Sequence, residues 1–292
     1  MRHDLSGVLA VDKPAGTTSR RVVDAVARAL GTKAVGHAGT LDPLATGAVV
    51  VCVGHATRLV DFVHQLPKHY AATFLLGRSS PSDDLETPVT DEENPRRPSH
   101  AEIEAGLPPL RGGILQRPCD YSAVHVAGRR AYALARKGRE VVLTAKPVRI
   151  DRLEITAYEW PWLSLEIECS SGTFVRALGR DLAAALGTTA VMAALVRTAV
   201  GPFSIAGSLP LAAIDPAAAR AALLPPLAAV AHLPRLDLDG TTLALAIRGD
   251  LLDCGVASPA LAACDGSGAL VGILRRHQTG RHRLKPNFHG AG

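Results

Sequence analysis

Apolar and polar positions along the chain repeat with a period that changes several times. Val22, Val23, Val26, Ala27 and Leu30 recur at helical spacing, with Ser19 ahead of them as a cap and Gly31 behind as a stop, which predicts a helix over 19–30. Val49 to Val53 is a short β-branched run, and Ala71 to Leu76 and Leu163 to Cys169 have the same strand-forming character. The helical pattern returns over Arg176 to Leu186, with Leu178, Leu182 and Leu186 on one side. Strands mixed with helices in this way predict an α+β main domain.

Between Ser79 and Pro98 the pattern breaks down. Asp83, Asp84, Glu86, Asp91, Glu92, Glu93 and four prolines give that stretch the composition of a long surface loop. Farther on, Asp215 and Pro216 suit the cap and first position of a short helix that Pro225-Pro226 ends, and this marks the exit from the main domain. After about Leu233, Thr242 to Ile247 and Ala269 to Leu274 read as short strands between Gly and Asp turns, which predicts a small β domain. The expected division is a main domain over 1–231 and a smaller one over 232–292. No internal repeat, dinucleotide-binding glycine pattern or phosphate-binding loop is present, so no nucleotide cofactor is expected.

Composition narrows the class. A chain of 292 residues with 47% apolar content can bury a sizeable core. The first residues turn polar before a long apolar run can form, so no signal peptide is expected. The Ala-rich stretch Leu209 to Leu233 is interrupted by Asp215, Arg220 and four prolines, which argues against a membrane span. Five widely spaced cysteines without a Cys-x-x-Cys pair argue for a reducing, cytoplasmic setting and against structural zinc. The formal net charge of +5 favours anionic partners. No acidic residue follows Asp265, whereas Arg275, Arg276, Arg281, Arg283 and Lys285 fall close together with His277 and His282. A second basic stretch runs through Arg129, Arg130, Arg136, Lys137, Arg139, Lys146, Arg149 and Arg152. On charge alone, solvated surface and nucleic-acid binding both remain open.

The most unusual segment is Gly36-His37-Ala38-Gly39-Thr40-Leu41-Asp42-Pro43-Leu44-Ala45-Thr46-Gly47. Its glycines permit close backbone approach to a ligand, and Pro43 biases Asp42 toward an extended or turn geometry. A carboxylate is thereby set on an irregular loop, where an Asp before Pro is more often a turn residue than a catalyst.

Together with Val11 to Ser19, this segment resembles the two N-terminal motifs of the bacterial tRNA pseudouridine-55 synthases, the TruB family. Lys68-His69-Tyr70, Leu76-Gly77 with Asp84, Gln116 to Ala123 with Ala131-Tyr132, Cys169 to Arg176, and Leu195 to Phe203 resemble the family's further motifs in the same order. The chain departs from the pattern at Arg20, where the family usually has His, and at Cys119, which replaces a proline. It departs again at Ser80-Pro81-Ser82-Asp83-Asp84, where the family has Thr-Asp-Thr-x-Asp.

The resemblance implies a pseudouridine synthase fold, with a mixed, largely antiparallel sheet flanked by helices, and a small C-terminal β-barrel of the RNA-binding PUA type. It implies isomerisation of uridine 55 in the T-loop of tRNA, without cofactor, metal or protein partner, by a monomeric enzyme. Asp42 is the implied nucleophile, Arg176 its ion-pair partner, and Tyr70 the flat face against the uracil with a hydroxyl that assists proton removal. Phe174 and Leu195 line the base pocket, and His37 stacks in the space the flipped base leaves. Lys13 and Pro14 support the catalytic loop, and Asp84 belongs to the same supporting set. Such chemistry is within reach of a carboxylate, which divides a hard step at a sugar carbon by forming a covalent intermediate. Two other readings stand beside it: a guide-RNA-dependent catalytic subunit, and an RNA-binding tRNA folding helper.

Overall fold

The computed structural model describes residues 5–122, 125–126, 129–132 and 143–288; Met1 to Asp4, Ala123, Arg136, Lys137 and Arg139 lie outside the described residues. The main domain is built on one large mixed sheet. Its strands are β1 (Gly7–Lys13), β2 (Val35–His37), β3 (Thr46–Val53), β4 (Lys68–Leu76), β5 (Gly112–Gln116), β6 (Lys146–Glu159), β7 (Trp162–Cys169), β8 (Ala190–Val200) and β9 (Leu209–Pro210), with the two-residue strand Phe203–Ser204 paired antiparallel to β8. They run side by side in the order β9-β1-β3-β8-β4-β7-β6-β5, with β2 added on β3. Pairing is antiparallel except for β1 with β9 and β8 with β3.

The β3 run is continuously apolar because both of its faces are covered. Val49, Val51 and Val53 enter one core with Leu9, Val11 and Leu165, while Val50 and Cys52 enter a second with Val8, Leu59 and Phe62. Successive strand residues point to opposite faces, so a strand buried twice cannot alternate. Each such valine contributes about 1.5–3 kcal/mol relative to exposure. By contrast β6 is covered on one face only. Val148, Ile150 and Leu153 are buried and Arg149, Arg152 and Glu154 exposed, the phase shifting at a bulge between Ile150 and Arg152.

Helix α1 (Ser19–Leu30) ends at Gly31 in the left-handed region, but its N-cap is Thr18, whose hydroxyl accepts from the Arg21 N–H. Ser19, expected as the cap, is the first helical residue instead, and its buried hydroxyl is committed to Leu41. Helix α2 (Val60–Gln65) follows β3, and α3 (His100–Gly106) carries a complete capping box between Ser99 and Glu102. Helix α4 (Val175–Ala185) lies against the sheet so closely that a Cβ on Gly179 would stand 2.0 Å from the Phe74 ring. The short α5 (Pro216–Ala221) has Asp215 as its cap and ends at Ala221, four residues before Pro225.

The acidic stretch 79–98 differs from a plain surface loop. Arg78–Ser79 and Thr90–Asp91 pair as a short ribbon, and between them Ser82 and Asp84 turn inward and are buried. The reason lies in the site they serve.

The C-terminal part holds β10 (Arg235–Asp237), β11 (Ala260–Cys264), β12 (Leu270–Arg276) and β13 (His282–Asn287) in one four-stranded sheet in chain order. Residues 242–247, expected as a strand, lie within helix α6 (Gly240–Arg248). Asp239 caps it by accepting from the Thr242 N–H at 2.7 Å, and Gly249 closes it at φ +92°. Both end signals favour the helix, and a short apolar run cannot overrule them. One side of this sheet packs with Leu238, Ala246 and Leu252 of its own segment, whereas Ala262 and Ile273 join the core containing Val8, Val50 and Phe62. No helix among the described residues is long and apolar enough to cross a membrane.

Candidate active site

Asp42 sits on the loop between β2 and β3, and several peptide groups on either side of it are held by side chains. Ser19 Oγ accepts from the Leu41 N–H at 2.8 Å and donates to the Leu41 carbonyl at 3.2 Å. Lys13 is fully buried and donates to the carbonyls of Pro14, Thr17 and Pro43 at 3.0, 2.8 and 3.3 Å. Burial pulls its ammonium down to about 8, with the Asp42 charge opposing. Arg197 donates to the carbonyls of Gly39, Thr40 and Ala48. At Gly47, with φ +108°, a Cβ would lie 2.3 Å from the Arg197 carbonyl, so only glycine fits where the loop enters β3.

The carboxylate itself faces Arg176, in the first turn of α4. Arg176 Nη2 lies 3.0 Å from Asp42 Oδ2, and Nη1 lies 3.1 Å from Asp84 Oδ2. The same two nitrogens donate to the carbonyls of Ser82 at 2.9 Å and Tyr121 at 3.0 Å. Asp84 is in turn fixed by the Ser82 hydroxyl at 2.5 Å and the Glu86 N–H at 2.9 Å. Burial opposes the charge of Arg176, but Asp42 foremost among the surrounding acids outweighs it, and its pKa lies above the ordinary arginine value. The Arg176 side chain is 6% exposed and that of Asp42 39%, so the pair presents a carboxylate to solvent on a buried cationic base.

A cleft of about 350 Å³ opens at this carboxylate, a volume in the range of small-ligand sites. Tyr70, Phe174, Arg176, Leu195 and Arg197 line it with Asp42. Tyr70 comes from β4 and pairs in register with Arg197 of β8. Burial raises its phenol pKa against the neighbouring Arg197 charge, which pulls it down. Phe174 is held through its backbone: the Gln116 amide donates to its carbonyl at 3.1 Å and accepts from its N–H at 2.8 Å.

Of the residues singled out in the sequence, Asp42, Tyr70, Phe174, Leu195 and Arg176 meet in the cleft; Lys13 and Asp84 are buried outside its lining, and Pro14 is exposed, with its carbonyl accepting from Lys13. His37 is on β2 and is not among the lining residues; its Nδ1 is buried without a hydrogen-bond partner among the described residues. Burial first, then the charges of Arg197 and His64, lower its pKa. Sequence reasoning missed Arg197, His64 and the clamps formed by Ser19 and Gln116. Only Arg197 leaves a trace, as a charged residue inside the apolar run 190–200. Lys68 is buried and donates to the carbonyls of His64 and Leu66 and to the Ser171 hydroxyl, joining α2 to the loop before α4. Among the described residues no group of three or more His, Cys, Asp or Glu is placed to hold a metal ion.

The same segments carry a likeness to known proteins. The family described as TruB family pseudouridylate synthase (N terminal domain) matches residues 27–175. The tRNA pseudouridine synthase B of Mycobacterium tuberculosis is 41% identical over 275 residues, covering 92% of this chain and 91% of that protein. That of Gloeobacter violaceus is 41% identical over 242 residues, covering 80% and 82%. Among solved structures, one chain of a Cbf5-Nop10-Gar1 complex superposes with a TM-score of 0.74 over 97% of this chain and 84% of its own length, at 23% identity, a likeness of fold. With an Asp–Arg pair at the floor of the cleft, a matched family region that includes the Asp42 loop, and sequence identity extending across nearly the whole length, the chain belongs to the TruB family of pseudouridylate synthases.

Proposed function

We propose that this chain is a tRNA pseudouridine synthase that isomerises uridine 55 of the T-loop, with Asp42 as nucleophile. The observation that carries the reading is the Asp42 carboxylate, ion-paired at 3.0 Å to a buried arginine and open to a cleft walled by an aromatic pair and a leucine. Isomerisation breaks the N1–C1′ bond, turns the base and joins C5 to C1′, with one proton leaving C5 and one reaching N1. The chain's task is to attack, to keep the detached base and to move that proton. Asp42 attacks; Arg176, 3.0 Å away, holds and aims it. Tyr70 and Phe174 offer flat faces to the uracil, Leu195 closes the apolar wall, and the Tyr70 hydroxyl assists at C5. A base must leave its stack to enter, at a cost of a few kcal/mol, and His37 stands near the same loop to fill the gap.

The segment from residue 232 onward acts as a PUA-like RNA-binding module. Arg275 and Arg283 are directly opposite each other on β12 and β13, a like-charge pairing that costs stability unless an anion relieves it. Arg275 also lies 5.0 Å over the Phe62 ring of α2, the helix that contributes His64 to the cleft, so this strip packs on an element that borders the active site. The enzyme works as a monomer in the cytoplasm, on its single chain.

The test is a short T-arm hairpin incubated with the pure protein, without guide RNA, nucleotide or added metal and with a chelator present, followed by carbodiimide mapping of pseudouridine. Conversion at one uridine is expected, with none for Asp42→Asn, whose hairpin affinity stays within about tenfold. Binding without conversion points to a folding helper. Conversion only with a guide RNA or partner protein points to a guided subunit.

A further inference from the structure

We infer that Arg197 is a positioning residue for the isomerisation, tying the Asp42 loop and Tyr70 into one frame across the cleft. The inference rests on the reading that Asp42 and Tyr70 act on the uridine. Three observations lead to it. First, Arg197 is 1% exposed, the largest fully buried side chain among the described residues. Among the described residues its guanidinium forms no ion pair with a carboxylate; it donates to the backbone carbonyls of Ala48 at 2.7 Å and of Gly39 and Thr40 at 3.2 Å each. Burying an unpaired cation is expensive, so its retention calls for a compensating role.

Second, those carbonyls lie on both limbs of the catalytic loop. Gly39 and Thr40 precede Asp42 and Ala48 follows it, so one planar fork spans the loop as a brace. Lys13 reaches only the Pro43 side and Ser19 only Leu41. A guanidinium suits this task because its donors are fixed in a plane, whereas an ammonium is a single point with rotating donors.

Third, the strand that carries Arg197 lies between the two catalytic elements. Arg197 is in register with Gly47 of β3 on one side and with Tyr70 of β4 on the other. Its charge is felt at the Tyr70 phenol, at Lys68 and at both His37 and His64. Asp42 is therefore held by Arg176 at its carboxylate and by Ser19, Lys13 and Arg197 through the loop backbone on either side of it, and of these only Arg197 also stands in register with Tyr70.

The experiment compares wild type, Arg197→Met and Arg197→Lys on the T-arm hairpin, measuring hairpin affinity and the single-turnover rate constant at saturating RNA separately, with thermal unfolding alongside. Displacing reacting groups by about an ångström costs roughly 100-fold in rate. Arg197→Met is expected to lose about that much in the rate constant while affinity changes less than about threefold. Arg197→Lys, which keeps the charge and loses the fork, should recover only part of the rate. If Arg197→Met does not fold, Arg197→Lys alone decides: a wild-type rate constant overturns the inference, and a loss of about tenfold or more at unchanged affinity supports it. Affinity falling in step with rate in either variant makes Arg197 an RNA contact and also overturns it. A wild-type protein that leaves the hairpin unconverted fails the proposed function itself, a result distinct from any of these.

Discussion

Asp84 and Arg176 stand 3.1 Å apart with 2% and 6% of their side chains exposed, and Asp42 lies on the other nitrogen of the same guanidinium at 3.0 Å. One cation thus serves two carboxylates of different standing. Asp84 has its oxygens taken up by Arg176, the Ser82 hydroxyl and the Glu86 N–H, and is closed to solvent. Asp42 is open to the cleft. On the proposed function, the inner acid balances the arginine's charge and leaves the outer one available for chemistry. Asp84→Ala removes one member of a buried pair and is expected to destabilise the fold by about 3–5 kcal/mol, read by urea denaturation. Asp84→Asn retains the shape, and its single-turnover rate on the hairpin should fall while folding is less affected. A wild-type rate in Asp84→Asn removes Asp84 from the supporting set.

Lys68 gives a pH signature. Burial, with the Arg197 charge adding to it, lowers its pKa from 10.5 to about 8. Below pH 8 the folded chain holds a charged lysine at full cost. Between about 8 and 10.5 the folded state has lost that proton while the unfolded state keeps it, so this contribution to stability rises with pH. Relative to Lys68→Met, the wild type should therefore gain up to about 3 kcal/mol of unfolding free energy across that window, measured by denaturant titration at fixed pH steps. A difference that stays level or narrows with rising pH contradicts the depressed value.

The basic face of β13 should be legible in salt. His282 and Leu284 are buried while Arg283 and Lys285 point outward, and Arg281 precedes them exposed. Replacing Arg281, Arg283 and Lys285 together with Gln leaves both C-terminal cores intact. The slope of log affinity against log salt for the hairpin or full tRNA is expected to flatten by roughly two units, with the saturated chemical step little altered. An unchanged slope places the phosphate contacts elsewhere.

The sequence by itself determined the helix over Ser19–Leu30, a strand through Val49–Val53 and the helix start near Arg176, because period and punctuation are local properties. It also identified the Asp42 loop, since a glycine-rich segment with Pro after Asp stands out without any fold. It misread residues 242–247 as a strand, where a short apolar run carries no decisive period and the caps at Asp239 and Gly249 carry the information. What only the tertiary structure decided is which side chains meet. Asp42, Asp84 and Arg176 are far apart in sequence, and nothing local makes Asp84 of an acidic stretch buried rather than solvated. The roles of Ser19, Gln116 and Arg197 are equally nonlocal, for each donates to or accepts from peptide groups that lie 22 to 158 positions away. A hydrogen bond to a distant carbonyl leaves no periodicity in the chain that makes it, and so the frame holding the carboxylate appears only when the strands are laid side by side.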